Sequence, residues 1–176
     1  MGDRPWAQMA CEAWGVRCVT WILPVIAILG VLPVCFRPQA REEESDAARE
    51  QVFVPESDQL TLLNVYQQWK NNGYRTDWCN KHFIQGKGLK KAREVRAQLL
   101  DIMKQQKVQA HSAGSDWDAC RRALCPAYFH QAGSLKGGGE YVDGRNGKPC
   151  HLHPSSTQSG SGDDPDSVRH NALGMT

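Results

Sequence analysis

Cysteine and histidine residues near the end of the chain are the side chains best suited to metal chemistry. Cys150, His151 and His153 lie close together, with Cys120 and Cys125 upstream. No two cysteines show the two-residue gap of a zinc knuckle, and the neighbours Cys150 and His151 would point to opposite faces of a strand. We therefore predict no metal site, and we interpret the cysteines as scattered reduced thiols. The seven cysteines are Cys11, Cys18, Cys35, Cys79, Cys120, Cys125 and Cys150.

The sequence contains no recognisable catalytic motif. It lacks the phosphate-binding GxxxxGK[ST] loop, a DEAH tetrapeptide, GxSxG and HExxH. The glycines at 137–139 precede a predicted strand rather than a helix, so they do not form a nucleotide-binding loop. From its own residues the sequence predicts no bound cofactor and no ATP hydrolysis.

Five basic residues fall in or next to the first half of one predicted helix. Positive charge at this end opposes the helix dipole, so stability does not explain the cluster. A negatively charged partner would explain it, and a solvated lysine face is the commoner alternative. The formal net charge is only +2, so any contact with RNA has to come from a local patch. The five residues are Lys87, Lys90, Lys91, Arg93 and Arg96.

Helical periodicity dominates the middle of the chain. Ser57 is a good N-cap residue for one helix, which Asn71–Gly73 would end. A longer helix is predicted over about 89–107 and another over 116–131, where Pro126 would kink or end it. The buried stripe of the longer helix is predicted to be Leu89, Ala92, Val95, Leu99, Ile102 and Met103.

The last third of the chain changes period. Residues 140–142 and 149–152 read as two strands joined by the turn 143–147. From Ser155 onward the sequence is polar and of low complexity, which is typical of disorder.

An uncharged apolar run, 19–36, leaves two interpretations open. Its length fits a membrane span. However, Pro24 and Pro33 interrupt it, and no positively charged region precedes it. A fully buried helix in a soluble domain produces the same pattern.

Several collinear stretches resemble DEAH-box RNA helicases, especially plant and algal forms of the helicase that acts before the second step of splicing. WILPVIAILGVLPVCFRP at 21–38 is similar to a buried helix of that family, which favours the soluble interpretation of the run. The other stretches are REEESDAARE at 41–50, VPESDQLTLLNVYQQWKNNGY at 54–74, DWCNKHFIQGKGLKKAREVRAQLLDIM at 77–103, AYFHQAGSLKGGGEYV at 127–142 and NGKPCHLHPSS at 146–156.

The resemblance implies a mainly α fold with a small β part. It divides the chain into an unassigned N-terminus at 1–16, the helicase-associated (ratchet-like) helical domain at 17–110, a partial OB-fold with its leading helix at 115–156, and a disordered tail at 157–176. The two RecA-like domains that bind ATP and Mg in the family have no counterpart here, so we expect a fragment or truncated paralogue without the ATPase core.

In the family these accessory domains hold single-stranded RNA or meet regulatory partners. The resemblance therefore implies binding to pre-mRNA and spliceosomal proteins in the nucleus, without a metal or a membrane. The candidate RNA-binding residues are Lys87, Lys90, Lys91, Arg93, Arg96, Lys136 and Arg145.

Two other functions compete with this one. A small membrane-anchored protein using 19–36 would resist alkaline carbonate extraction. A metal protein or enzyme built on the cysteines and histidines would show stoichiometric zinc in elemental analysis.

Overall fold

The computed structural model describes residues 19–31, 34–55, 57–109, 116–127, 132–137, 140–152, 156, 167–169 and 173–174. Helices form the larger part, and a small antiparallel sheet follows them, which confirms the predicted fold class. The helices are α1 (Val19–Leu29), a 3-10 turn (Gln39–Arg41), α2 (Glu42–Glu50), α3 (Asp58–Asn71), α4 (Thr76–Lys81), α5 (Gly86–Gln105) and α6 (Trp117–Ala127).

Helix α1 lies at the centre of the helical part. Its sequence, VTWILPVIAIL, is apolar on every side, and a helix of this kind is stable only when other elements cover it all round. Helices α3, α5 and α6 pack against it. Among the buried side chains, Ile22 and Ile28 are fully enclosed, and the helix continues through Pro24. In the described residues no helix is both long and apolar enough to cross a membrane.

Two apolar clusters share α1. One joins the first part of α1 to Leu60 and Leu63 of α3 and to Cys120 and Ala123 of α6. Helix α6 thus packs in the same core as the first helices, although the resemblance assigns it to the OB-fold. The second cluster joins the end of α1 to the C-terminal half of α3 and to α4 and α5; its largest members are Ile28, Tyr66, Trp69, Ile84 and Leu89.

Helix α3 begins and ends where its sequence predicts. The Ser57 hydroxyl accepts a hydrogen bond from the backbone N–H of Leu60 at 3.3 Å. At the other end, Gly73 has φ +68°, and the chain turns away from the helix. Both signals are confirmed.

The segment after α1 is fastened to the start of α5. Phe36 N–H donates to the Phe83 carbonyl at 3.1 Å, and Gln85 N–H donates to the Val34 carbonyl at 2.7 Å. The buried Ser45 hydroxyl of α2 donates to the Phe36 carbonyl at 3.3 Å. These bonds hold α2 beside the junction of α4 and α5.

Helix α5 extends beyond the core. Its buried residues Gly88, Leu89 and Ala92 lie in its first two turns, whereas Leu99 and Met103 are only half-buried. The prediction that Ile102 is buried is wrong, because this side chain is 53% exposed. The reason is that, in the C-terminal half of α5, neighbouring residues cover a narrower side of the helix than the apolar stripe predicted from its sequence.

Helix α6 is described over Trp117–Ala127, and residues 128–131 of the predicted helix lie outside the described residues. The Asp116 carboxylate accepts from the Ala119 N–H at 3.0 Å and caps its start. Pro126 lies inside the described helix, where its missing N–H removes one helical hydrogen bond.

The sheet has the order β4-β1-β2-β3-β5, and all neighbouring strands are antiparallel. Its strands are β1 (Ala132–Gly137), β2 (Glu140–Asp143), β3 (Pro149–Leu152), β4 (Ser167–Arg169) and β5 (Leu173–Gly174). The sequence predicts β2, β3 and the turn between them but not β1. Strands β4 and β5 lie inside the tail for which the sequence predicts disorder.

The sheet has a small core, and Ser156, which follows β3 in the chain, contacts the helices. Tyr141 and Cys150 are buried beside Leu135. The Ser156 hydroxyl donates to the Asp58 carboxylate at the start of α3, at 2.9 Å. This bond joins two residues that are 98 positions apart.

We expect Ile22→Ala in α1 to lower the free energy of unfolding by about 2–5 kcal/mol, because it empties a fully enclosed site. Ile102→Ala is the matched control, since Ile102 is exposed, and it should change stability by less than about 0.5 kcal/mol. Urea unfolding of both variants measures the difference. Equal losses would contradict the central position of α1.

The carboxylate of Asp46 in α2 accepts two hydrogen bonds from Arg37, which lower the pKa of Asp46 below its ordinary value. The pair therefore stabilises the fold above the ordinary aspartate pKa, and this contribution is lost as the pH falls through the lowered value. An NMR titration should show the pKa of Asp46 rising in Arg37→Gln and staying unchanged in Arg75→Gln. An unaltered value in Arg37→Gln would refute the assignment.

Candidate nucleic-acid interface

Positive charge is concentrated in one stretch of the chain. Residues 70–96 contain eight Lys and Arg and two Asp and Glu, a formal charge of +6, although the whole chain carries +2. The rest of the chain is therefore negative. The structure folds this stretch into the end of α3, helix α4 and the first half of α5, with most of its basic side chains exposed.

Four of the predicted residues lie exposed on the first half of α5. They are Lys87, Lys90, Lys91 and Arg93. Lys91 forms an ion pair with Glu94, at 3.3 Å. Among the described residues no carboxylate pairs with the other three. From Lys87 to Arg93 the helix rises about 9 Å, so a row of free cations follows its axis.

Arg93 is held against an aromatic cluster. Its guanidinium carbon lies over the Tyr74 ring, 4.1 Å from the centroid. Tyr74 in turn contacts Trp69 edge to face, with ring centroids 4.8 Å apart. Trp69 is buried. A side chain that would otherwise move freely in water is thus fixed in one direction.

Arg96 has a different environment. It is half-buried, and its guanidinium carbon lies 6.0 Å from the centroid of the Tyr66 ring. Its Nε is buried and has no hydrogen-bond partner among the described residues. Burial also raises the pKa of Tyr66 above its ordinary value. These contacts place Arg96 against the helical core, away from the exposed row of cations that runs from Lys87 to Arg93.

Lys136 and Arg145 are exposed but belong to the sheet. Lys136 lies near the end of β1, beside the irregular pairing between Leu135 and Gly137. Arg145 is in the turn after β2, next to the start of β1, so roughly 13 Å of strand separates the two positions. Within the described residues, no hydrogen bond or ion pair joins either of them to α5.

Sequence reasoning missed part of the basic stretch. Lys70, Arg75 and Lys81 are also exposed, and in the described part of the chain only Arg75 has a carboxylate partner, Asp77 at 3.1 Å. A charge count over the whole window 70–96, instead of one helix, would have found them. Tyr74 was missed because only the fold brings it to Arg93.

The thiol of Cys79 lies behind this surface. It is buried in α4, and burial raises its pKa, while the charge of Lys90 partly opposes the rise. A raised pKa leaves little reactive thiolate at neutral pH. Cys79 is therefore a packing residue between α4 and α5.

Metal ligands are not assembled in the described ranges, where no group of three or more His, Cys, Asp or Glu could hold an ion. Cys120 is buried in the helical core. Cys150 is buried while His151 is exposed, as alternate faces of a strand require. His153 lies outside the described residues.

The chain is similar to known RNA helicases. It is 37% identical over 144 residues to the "Pre-mRNA-splicing factor ATP-dependent RNA helicase prp22" of Schizosaccharomyces pombe. It is 33% and 34% identical, each over 140 residues, to the "ATP-dependent RNA helicase DHX33" of Mus musculus and of Homo sapiens. No protein-family model matches.

These matches cover 81%, 80% and 80% of this chain but only 12%, 20% and 20% of the respective relatives. The chain thus spans at most about a fifth of the curated relatives it matches. Identity above 30% over four fifths of the chain agrees with the collinear stretches in its sequence. Over this length the chain is similar to part of these ATP-dependent RNA helicases, as its resemblance to the DEAH-box family implies.

Proposed function

We propose that this chain is a non-catalytic RNA-binding accessory region of the DEAH-box helicase type, with helices α4 and α5 forming the binding surface. The observation that carries the proposal is the charge of +6 on residues 70–96, in a chain whose net charge is +2. The ligand would be single-stranded RNA, held through its phosphates and without sequence preference.

Charge and packing together support this surface. Lys87, Lys90 and Arg93 have no carboxylate partner among the described residues, so an incoming phosphate does not have to displace an ion pair. The helix has no acidic residue in its first turn to offset its dipole. A bound anion would reduce the repulsion among these cations and their repulsion by the positive end of the helix dipole. Release of counterions from the RNA would also favour binding.

The alternative explanation of the basic stretch is a lysine face that contacts only solvent. A solvated face normally mixes both signs of charge, as α2 does: it contains five acidic residues, and Arg37, Arg41 and Arg49 lie in it or just before it. The stretch 70–96 has a fourfold excess of one sign. This imbalance favours a partner over solvation alone.

The sheet adds a second surface to the proposal. Three of its antiparallel strands, β1 to β3, lie within the range of the partial OB-fold, a fold that commonly binds single strands. Lys136 and Arg145 would then supply a second, weaker contact. The helical domain at 17–110 and the OB-type domain at 115–156 are parts of this proposal.

Splicing is the proposed setting. One relative is named as a pre-mRNA-splicing factor, whereas the two DHX33 relatives are named only as ATP-dependent RNA helicases. Spliceosomal proteins as partners and a nuclear location follow from the first relative alone.

Replacing both Lys87 and Lys90 by Gln should weaken binding to a single-stranded RNA oligonucleotide and reduce its salt dependence. Each phosphate contact contributes about 0.7 to the slope of log K against log salt concentration, so losing two should lower the slope by roughly 1.4. Fluorescence anisotropy at several KCl concentrations measures both effects.

Lys104→Gln is the matched control, because Lys104 is exposed on the same helix, outside the basic stretch, beside Asp101. This variant should bind like the unaltered protein. Absence of RNA binding by the unaltered protein, or an equal effect of the control, would overturn the proposal.

A further inference from the structure

We infer that the guanidinium of Arg93, stacked on Tyr74, is a platform for an unpaired nucleobase. This inference rests on the proposed RNA-binding function and adds the chemical group that one residue contacts. The lysines of α5 would hold phosphates, while Arg93 would hold a base. The binding surface would then require single-stranded RNA, because bases in a duplex are already stacked.

The stack is built from the core outward. Trp69 is 1% exposed and fixed in the core between α3 and its neighbours. The half-buried Tyr74 ring stands against it at an interplanar angle of 80°. Arg93 then lies over the Tyr74 ring, with 4.1 Å from its guanidinium carbon to the ring centroid. Each layer restricts the movement of the next one.

An unusual backbone turn puts Tyr74 in this place. Tyr74 has φ +59°, a left-handed conformation that is uncommon for a bulky residue, and it follows Gly73 with φ +68°. Its N–H donates to the Trp69 carbonyl at 2.9 Å, which closes the end of α3. The turn directs the ring back to α5 instead of leaving it on the outside.

Arg93 differs from every other predicted contact residue. It is exposed, it has no carboxylate partner among the described residues, and its guanidinium carbon lies over an aromatic ring. Arg96 is half-buried, and Lys91 is paired with Glu94. A guanidinium is flat and stacks on aromatic systems, whereas a lysine ammonium is a point charge.

The competing role for Arg93 is a phosphate contact like that of the lysines. The two roles differ in what they need from the RNA, because a stacked contact needs the base and a phosphate contact does not. They also differ in what they need from the protein, because Arg93→Lys keeps the charge and removes the plane.

The experiment compares two single-stranded oligonucleotides of equal length, one with all bases and one abasic throughout its central part. The unaltered protein should bind the abasic strand roughly fivefold or more weakly, within the range of base stacking on a planar group. Arg93→Lys should bind both strands with similar affinity and keep the salt slope of the unaltered protein.

Tyr74 is the positioning residue, and its variants test the support of the stack. Tyr74→Leu should lose the discrimination between the two strands, and Tyr74→Phe should restore it because the ring is kept. Arg122→Lys is the control for the chemical change itself, since Arg122 is exposed on α6, outside the basic stretch. It should discriminate as the unaltered protein does.

The outcomes separate the two proposals. Failure of the unaltered protein to bind the complete strand would refute the proposed function and this inference together. Equal binding of both strands by the unaltered protein, or full discrimination by Arg93→Lys, would refute only the base platform and leave phosphate binding in place.

Discussion

The need to enclose helix α1 on every side is the constraint on which the rest of the helical part depends. A helix without a polar face has no orientation in which water can cover part of it, so three helices have to surround it. Helices α3, α5 and α6 do this, and each turns its own apolar side inward. Two clusters result, joined through α1. The polar sides of the outer helices are thereby directed to solvent.

This arrangement explains why a stretch of like charges is tolerated on α5. The first two turns of α5 bury Leu89 and Ala92 against the core, so packing offsets the unfavourable charge at the start of the helix. Lys87, Lys90 and Arg93 have to point outward as a consequence. Like charges that repel one another on a well-packed helix are common at binding sites, where a sequence departs from the rules of local stability for the sake of function.

Sequence patterns predicted the elements unequally, and the reasons are local. The ends of α3 were predictable because a serine cap and a glycine stop act within a few residues. Strand β1 was not, since AGSLKG has no clear alternation and its pairing partners are 3–10 positions away in β2 and 33–37 positions away in β4. Ile102 fits the helical period but lies outside the face of α5 that the core covers, on which Leu99 and Met103 are half-buried. Periodicity gives the direction of a buried face, and it does not say how wide that face is.

By itself the sequence determined the helical periodicity of the middle of the chain and the identity of the basic residues, because composition and short-range spacing encode both. The family resemblance came from long collinear stretches, and it was this resemblance that favoured a buried helix for the apolar run. Only the tertiary structure gave these basic residues different surroundings. Arg96 lies near the Tyr66 ring, Lys91 pairs with Glu94, and Arg93 lies over the Tyr74 ring. The ring of Tyr74 reaches a residue 19 positions later only because a left-handed turn ends α3 beside α5. Contacts of this kind depend on how helices pack, and no local pattern specifies them.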